Sequence, residues 1–449
     1  LAPDSATAVD ASNALGREMH DFMRRLFPIC RSITGNGLRR TLDLLGRDLP
    51  MVIHEIPSGT QVLDWQIPDE WNVREAYIAR LSGERIVDFA ENNLHLVQYS
   101  TPIDKVLPIE ELRRHIHTLP ETPDWIPYRT AYYARTWGFC MAHRTLEQMT
   151  DAEYRVVIDS TLAPGALSYG EIHVPGRRTD EVLISVHCCH PSLANDNLSG
   201  MTIARTLARW LLAAPRRLSY RFLFIPGTIG SIAWLARNED RLANIRYGLV
   251  LSCLGDSGGF TYKCARDENA RINQVVAHVL RHVAAPFRIE PFVPYGYDER
   301  QYCSPGFNLP VGCLMRSPNG AFPEYHTSAD NLDFVRPECL AESLNVLQQI
   351  VEVLEQDEYF VNTNPKGEPQ LGRRGLYRPI GGQKDGGGYD QLALLWALNL
   401  SDGTHSLLDI ARRAEQPFHA VKAAADALRA AGLLVPRETG REAGDAVSS

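Results

Sequence analysis

Hydrophobic and polar positions divide the chain into successive textures. Near the start, Leu15, Met19, Phe22, Met23 and Leu26 recur at spacings of three and four, which predicts a helix over 14–27. The helical reading continues over 35–49, and a strand follows at 51–56. From about 58 to 159 the chain is rich in Trp, Tyr and Pro, with short β-like runs such as "VREAYIARL" and "LHLVQYS" and turn signals such as Ser82-Gly83. That segment reads as a small β-rich insertion, its aromatics (Trp65, Trp71, Trp125, Tyr128, Tyr132, Tyr133, Trp137) forming a β core more readily than a pocket roof. Beyond 171, apolar strands at 182–186, 220–225, 249–251 and 311–315 alternate with helices at 200–213, 231–237, 272–283 and 337–354. Such alternation predicts a mixed, mostly parallel sheet covered on both faces, with its site at the carboxyl ends of the strands.

The last stretch adds a linker at 362–370, a Gly-rich run at 381–388, and helices over 389–398, 406–414 and 417–431. Ser406 and Asp409 form a capping-box pattern, and residues 433–435 offer a strand. Three helices and a strand suggest a winged-helix module. The expected organisation is an α/β core over 1–57 and 160–365, an insertion over 58–159, and a winged helix over 376–449.

The chain has 449 residues, 44% hydrophobic and 22% charged, an ordinary globular mixture with ample material for a core. No apolar run approaches the ~20 residues that span a bilayer. The net charge of −8 argues against nucleic acid or an anionic membrane as partner. Residues 378–449 carry eight Lys/Arg against nine Asp/Glu, so the winged helix lacks a basic footprint and reads as a packing module. The nine cysteines are widely spaced with no C-x-x-C, and residues 1–10 show no basic or apolar leader pattern. A reduced, cytoplasmic protein is the expectation, with self-association into a homo-oligomer left open. No P-loop and no G-x-S-x-G elbow occur.

Two stretches carry chemistry: "ISVHCCHPSLANDNLSG" (184–200) and "PEYHTSADNLDF" (323–334). The first ends an apolar strand at His187 and runs through Asp196 to a helix start. The second places His326 in another loop after a strand. Taken singly, each such residue is a hydrogen-bonded loop residue; together, two imidazoles and a carboxylate suit Zn²⁺ with an open position for water. The same ligand types serve non-haem iron, the alternative metal.

With "YDERQYCSPGFNLPVG", these motifs resemble the aminopeptidase-like family that carries an inserted β domain and a C-terminal winged helix, a divergent branch of the zinc aminopeptidases. The resemblance covers nearly the whole chain. It implies that His187 and His326 are metal ligands and that Asp196 matches the metal-bridging aspartate. The usual aspartate two residues after the first histidine is Cys189 here, and the usual Glu-Glu pair is Gly227-Thr228. Another aspartate ligand falls near Ser252-Cys253, where Cys253 is a conceivable ligand but reads more readily as a small buried residue. Three of five ligand positions survive, which implies one Zn²⁺ held by His187, Asp196 and His326.

The missing base leaves Glu324 as candidate, on the premise that an extended segment points Glu324 and His326 the same way. Asp298 and Glu299 are the next carboxylates, as base or as substrate-amine ligands, and Tyr302 is a candidate oxyanion donor. His190 is a loop histidine that could ligate or touch substrate. The leading expectation is a zinc-dependent, aminopeptidase-like hydrolase of a small peptide or amide. The alternative is a non-catalytic binding or regulatory protein acting through its winged helix.

Overall fold

The computed structural model describes residues 5–283, 285–376 and 389–437; the Gly-rich run at 381–388 lies outside the described residues. Its central sheet has eight strands: β1 (Met51–Pro57), β2 (Ala166–Val174), β3 (Glu181–His187), β4 (Ser219–Ile225), β5 (Ile245–Leu251), β6 (Phe260–Lys263), β7 (Phe287–Glu290) and β8 (Val311–Met315). They lie in the order β1-β2-β4-β3-β5-β8-β6-β7. The middle four, β4-β3-β5-β8, are mutually parallel. β2 and β6 flank them in antiparallel pairing, which makes the sheet mixed as expected.

Every residue of β3 and of β4 is buried, as continuous apolar runs require when helices cover both faces. α1 (Ser5–Leu26) and α2 (Asn36–Gly46) each pack on α3 (Gly200–Leu212), which also lies on β3. A buried charge cluster ties β2, β3 and β4 together. Arg221 Nε and Nη2 each donate to Glu181 at 2.7 Å, Arg221 Nη1 donates to Glu171, and Trp234 Nε1 donates to Glu171 at 3.0 Å.

The strands β2, β6 and β7 are absent from the sequence reading. β2 ("ALSYGEIHV") mixes polar residues and a glycine into its run, and β6 and β7 have only four residues each. The insertion is built on a four-stranded antiparallel sheet, in the order Arg85–Asp88, Glu70–Ala79, Glu153–Ala163, Ile103–Pro108. Its core is continuous with that of the central sheet: Trp71, Tyr99 and Tyr154 belong to one cluster with Leu183, Leu223 and Tyr302. Residues 1–274 and 285–347 accordingly form one compact unit, and the insertion is not a separate body. Trp65 and Tyr133, expected in the β core, are instead 45% and 53% exposed.

Residues 275–284 and 348–449 form the second unit. It contains helices Gln391–Leu400, Leu407–Ala414 and Phe418–Ala430, the second opened by the Ser406/Asp409 capping box. Three strands complete it, in the order Asp402–Ser406, Tyr359–Asn362, Leu434–Pro436. Tyr359–Asn362 fell on the core side of the expected boundary at 365, yet it is the middle strand of this sheet. Its apolar positions had nothing nearby in sequence to reveal a partner some 40–75 residues further on. Among the described residues no helix is long and apolar enough to cross a membrane.

Candidate metal centre

β3 lies in the middle of the sheet between β4 and β5, and its last residue is His187. The loop that follows is pinned from outside: buried Arg31 donates Nη1 to His190 O (2.9 Å) and Nε to Thr41 Oγ1 (3.1 Å). The next turn is held by Asp330, whose carboxylate accepts from the backbone N–H of Asn195 (2.6 Å) and Asp196 (3.0 Å). Burial pushes the Asp330 carboxyl up to about 8 despite these bonds. Asn197 Nδ2 donates to Leu251 O at 2.9 Å, and its Oδ1 accepts from Gly200 N and Cys253 N. A Cβ on Gly200 would sit 2.4 Å from Asn197 Oδ1, so only glycine lets α3 start this close.

These supports bring three imidazoles onto one carboxylate. Asp196 Oδ1 lies 2.7 Å from His187 Nε2, and Asp196 Oδ2 lies 3.2 Å from His190 Nδ1 and 3.0 Å from His326 Nε2. His187 and Asp196 are each 1% exposed, whereas the His326 side chain is 34% exposed, so the centre opens on that side. Burial alone would raise the Asp196 carboxyl, but His190 and His187 outweigh it and hold the group well below the usual range.

The donors fit a metal ion. Ligand atoms of His187, His190 and Asp196 all lie within 4.8 Å of one another. His190 Nδ1 is buried and has no hydrogen-bond partner although Asp196 Oδ2 is close. An orphaned nitrogen facing a carboxylate is costly unless a cation lies between them. His190, read from sequence as a loop histidine near the centre, is thus placed with His187 and Asp196, while His326 reaches the same carboxylate from the open side.

Glu324 and His326 do not share an extended segment: residues 323–326 form a turn and His326 has φ +56°, which removes the alternation argument. Glu324 is half-buried, and its backbone carbonyl accepts from Thr327 Oγ1 at 2.8 Å. Tyr302 is fully buried with its hydroxyl 2.9 Å from Ser185 Oγ inside the sheet, so it is no oxyanion donor. Glu299 is buried in an ion pair with Lys263 and accepts from Tyr297 N, which removes it from substrate binding. Asp298 is fully buried; Oδ1 accepts from Ser231 Oγ at 2.9 Å and Oδ2 has no partner. Burial pushes its carboxyl up to about 8. Cys253 Sγ lies 3.3 Å from Asn319 Oδ1 and is not among the clustered donors.

Sequence reasoning weighed a pocket roof for the insertion aromatics, Tyr128 among them, but preferred a β core, and it passed over Tyr297 and Tyr325. The Tyr297 ring lies 3.9 Å from that of His187, and Tyr325 stacks on His326 at 3.9 Å. Tyr128, from the insertion, meets His190 and His326 edge-on at 5.1 Å each. The insertion also grips the His326 turn through its backbone: Tyr128 N donates to His326 O (2.8 Å) and Ser328 N to Ile126 O (2.8 Å). Tyr297 stood in the motif "YDERQYCS", one residue ahead of the carboxylate that drew attention. Tyr128 offered no signal beyond being one of many aromatics.

A parallel-centred sheet with a His/Asp cluster where β3 ends defines an aminopeptidase-like α/β protein. A zinc aminopeptidase from Bacillus subtilis shares this fold, with a TM-score of 0.55 at 12% identity over 76% of this chain and 95% of its own. The chain belongs to the family described as a domain of unknown function (DUF4910), whose profile matches residues 20–357, and residues 358–436 match a winged helix-turn-helix family. A Clostridium acetobutylicum protein is 47% identical over 95% of this chain and 98% of its own; it bears the provisional name polysaccharide biosynthesis protein with aminopeptidase-like domain. A crystal structure from the same organism, named provisionally as a peptidase, matches with a TM-score of 0.91 and 44% identity over 96% of this chain and 99% of its own.

Proposed function

We propose that the protein is a metal-dependent hydrolase of a peptide or related amide bond, with one Zn²⁺ held by His187, Asp196 and His326 and joined by His190. The observation that carries this reading is the convergence of three imidazoles on the buried Asp196 carboxylate where β3 ends. Zn²⁺ bound there supplies a Lewis acid for the scissile carbonyl and lowers the pKa of a bound water. The chain's own residues do the rest. Tyr128, Tyr297 and Tyr325 wall the centre and keep bulk water out, and the exposed flank of His326 is the way in. Amide cleavage also needs a proton carried to the leaving amine. Glu324, half-buried and in the same turn as His326, is the carboxylate we propose for that transfer.

Because the relative is named for polysaccharide biosynthesis, N-acyl sugars are assayed beside peptides as candidate amides. The test is hydrolysis of a peptide and N-acyl-sugar panel, with metal content measured alongside. Cleavage that stops with chelator, returns with Zn²⁺ and falls about 10²–10⁴-fold in Glu324→Gln at unchanged metal content supports the reading. Metal-independent cleavage would sink it.

One observation favours a second reading, a non-catalytic binding protein that keeps the fold and the metal. Where the resemblance places a Glu-Glu pair, a Cβ at Gly227 would sit 2.0 Å from Tyr297 Cε1, so the ring fills that space. Metal bound with no amide of the panel cut would favour this reading, and anomalous scattering would separate zinc from iron.

A further inference from the structure

Three residues that replace or abut the expected acids touch one another. Tyr297 Oη is 3.4 Å from His190 Nε2 and 3.7 Å from Cys189 Sγ, and Cys189 Sγ is 3.8 Å from Gly227 O. The volume at Gly227 is what admits the Tyr297 ring, since any side chain there would overlap it.

With a metal on Nδ1 the His190 proton sits on Nε2, and donor and acceptor counts then give this chain one direction. A backbone carbonyl can only accept, so the Cys189 thiol donates to Gly227 O. The sulfur then accepts from the Tyr297 O–H. The phenol oxygen is left to accept, and His190 Nε2–H donates to it. That leaves the His190 lone pair on Nδ1, the nitrogen found 3.2 Å from Asp196 Oδ2 without a hydrogen bond.

Resting on the metal reading above, we infer that Tyr297 is a positioning residue that, through Cys189 and Gly227, fixes His190 as the Nε2–H tautomer and aims Nδ1 at the metal position. A ligating histidine ordinarily donates its other N–H to a carboxylate or carbonyl. Here a phenol does so, relayed by a thiol to the backbone. The departures at Cys189 and Gly227 are then parts of one arrangement rather than separate losses: the small residue makes room for the ring, and the thiol completes its hydrogen bonding.

The test uses the full-length protein in two states. Without metal, imidazole ¹⁵N NMR reads how Tyr297 and Asp196 divide the His190 proton between Nε2 and Nδ1; with Zn²⁺, competition against a chelator reads affinity. Tyr297→Phe is expected to mix the tautomers and to weaken Zn²⁺ by about 10–100-fold, the usual loss for a residue that orients a ligand. Cys189→Ser, which can still accept and donate, should keep both readouts, whereas Cys189→Ala should shift the tautomer toward Nδ1–H. An unchanged tautomer in Tyr297→Phe, with Zn²⁺ affinity within about twofold of the parent, overturns the inference. Should Tyr297→Phe fail to fold, the Cys189→Ser and Cys189→Ala pair decides, with equal tautomers in the two overturning it. A parent protein that takes up no Zn²⁺ sinks the metal reading instead, and the metal-free tautomer still decides the positioning claim.

Discussion

Asp196→Asn removes one negative charge and almost no volume from the point where His187, His190 and His326 meet. If Asp196 ligates the ion, metal binding must stabilise the parent protein and not the variant. The size follows from linkage: a ligand that binds only the folded state adds RT ln(1 + [L]/Kd), about 4 kcal/mol at a thousandfold excess over Kd. The unit that houses the centre, residues 1–274 with 285–347, is large, so each kcal/mol moves Tm by only ~2 °C and the expected rise is about 8 °C. The asparagine keeps one acceptor but offers no charge to offset the cation, and it loses the oxygen shared by His190 and His326. Its zinc-dependent rise should shrink below about 2 °C, the equivalent of ~1 kcal/mol. The assay is thermal unfolding of both proteins, each with and without Zn²⁺, so that differences between the metal-free proteins cancel. An equal zinc-dependent rise in the variant would refute the assignment of the carboxylate and with it the centre as drawn.

Two further outcomes follow from buried charge. Arg221→Met strands the Glu171 and Glu181 carboxylates inside the sheet, and urea unfolding should show a loss of about 3–5 kcal/mol; a loss below about 1 kcal/mol would mean that the cluster does not brace β2, β3 and β4. Asp298 has its carboxyl raised by burial to about 8, so the folded state holds a proton that the unfolded chain releases near pH 4. That proton's contribution is complete below pH 4 and is lost as pH rises toward 8. Asp298→Asn should therefore flatten the fall in urea stability between pH 5.5 and 8.5, and an unchanged slope would place the Asp298 titration outside this range.

The β3–β5–β8 framework was legible because buried parallel strands write themselves as continuous apolar runs, and His187 was legible because it ends one of them. His326 could be named from its motif but not oriented. Its left-handed backbone belongs to a turn, and no alternation rule applies there, which is why the argument for Glu324 lost its geometric ground. Tyr302 and Glu299 looked functional because polar residues in a motif invite that reading. Their partners, Ser185 and Lys263, lie 117 and 36 positions away, and only the fold reveals that they are already satisfied. Tyr297 was hidden for the opposite reason: a phenol in a loop carries no pattern until the space at Gly227 is seen to hold it.

The grip of residues 126–128 on the His326 turn bears on how the protein is made. Chain synthesis delivers the insertion first, then His187, His190 and Asp196, and His326 only some 130 residues afterwards. A ribosome-bound fragment that ends before 326 thus offers two imidazoles and a carboxylate with no lid over them, and the fourth donor arrives after β8 has been synthesised. Tight metal retention would then serve as a maturation mark: it reports that the middle and last thirds of this unit have found each other.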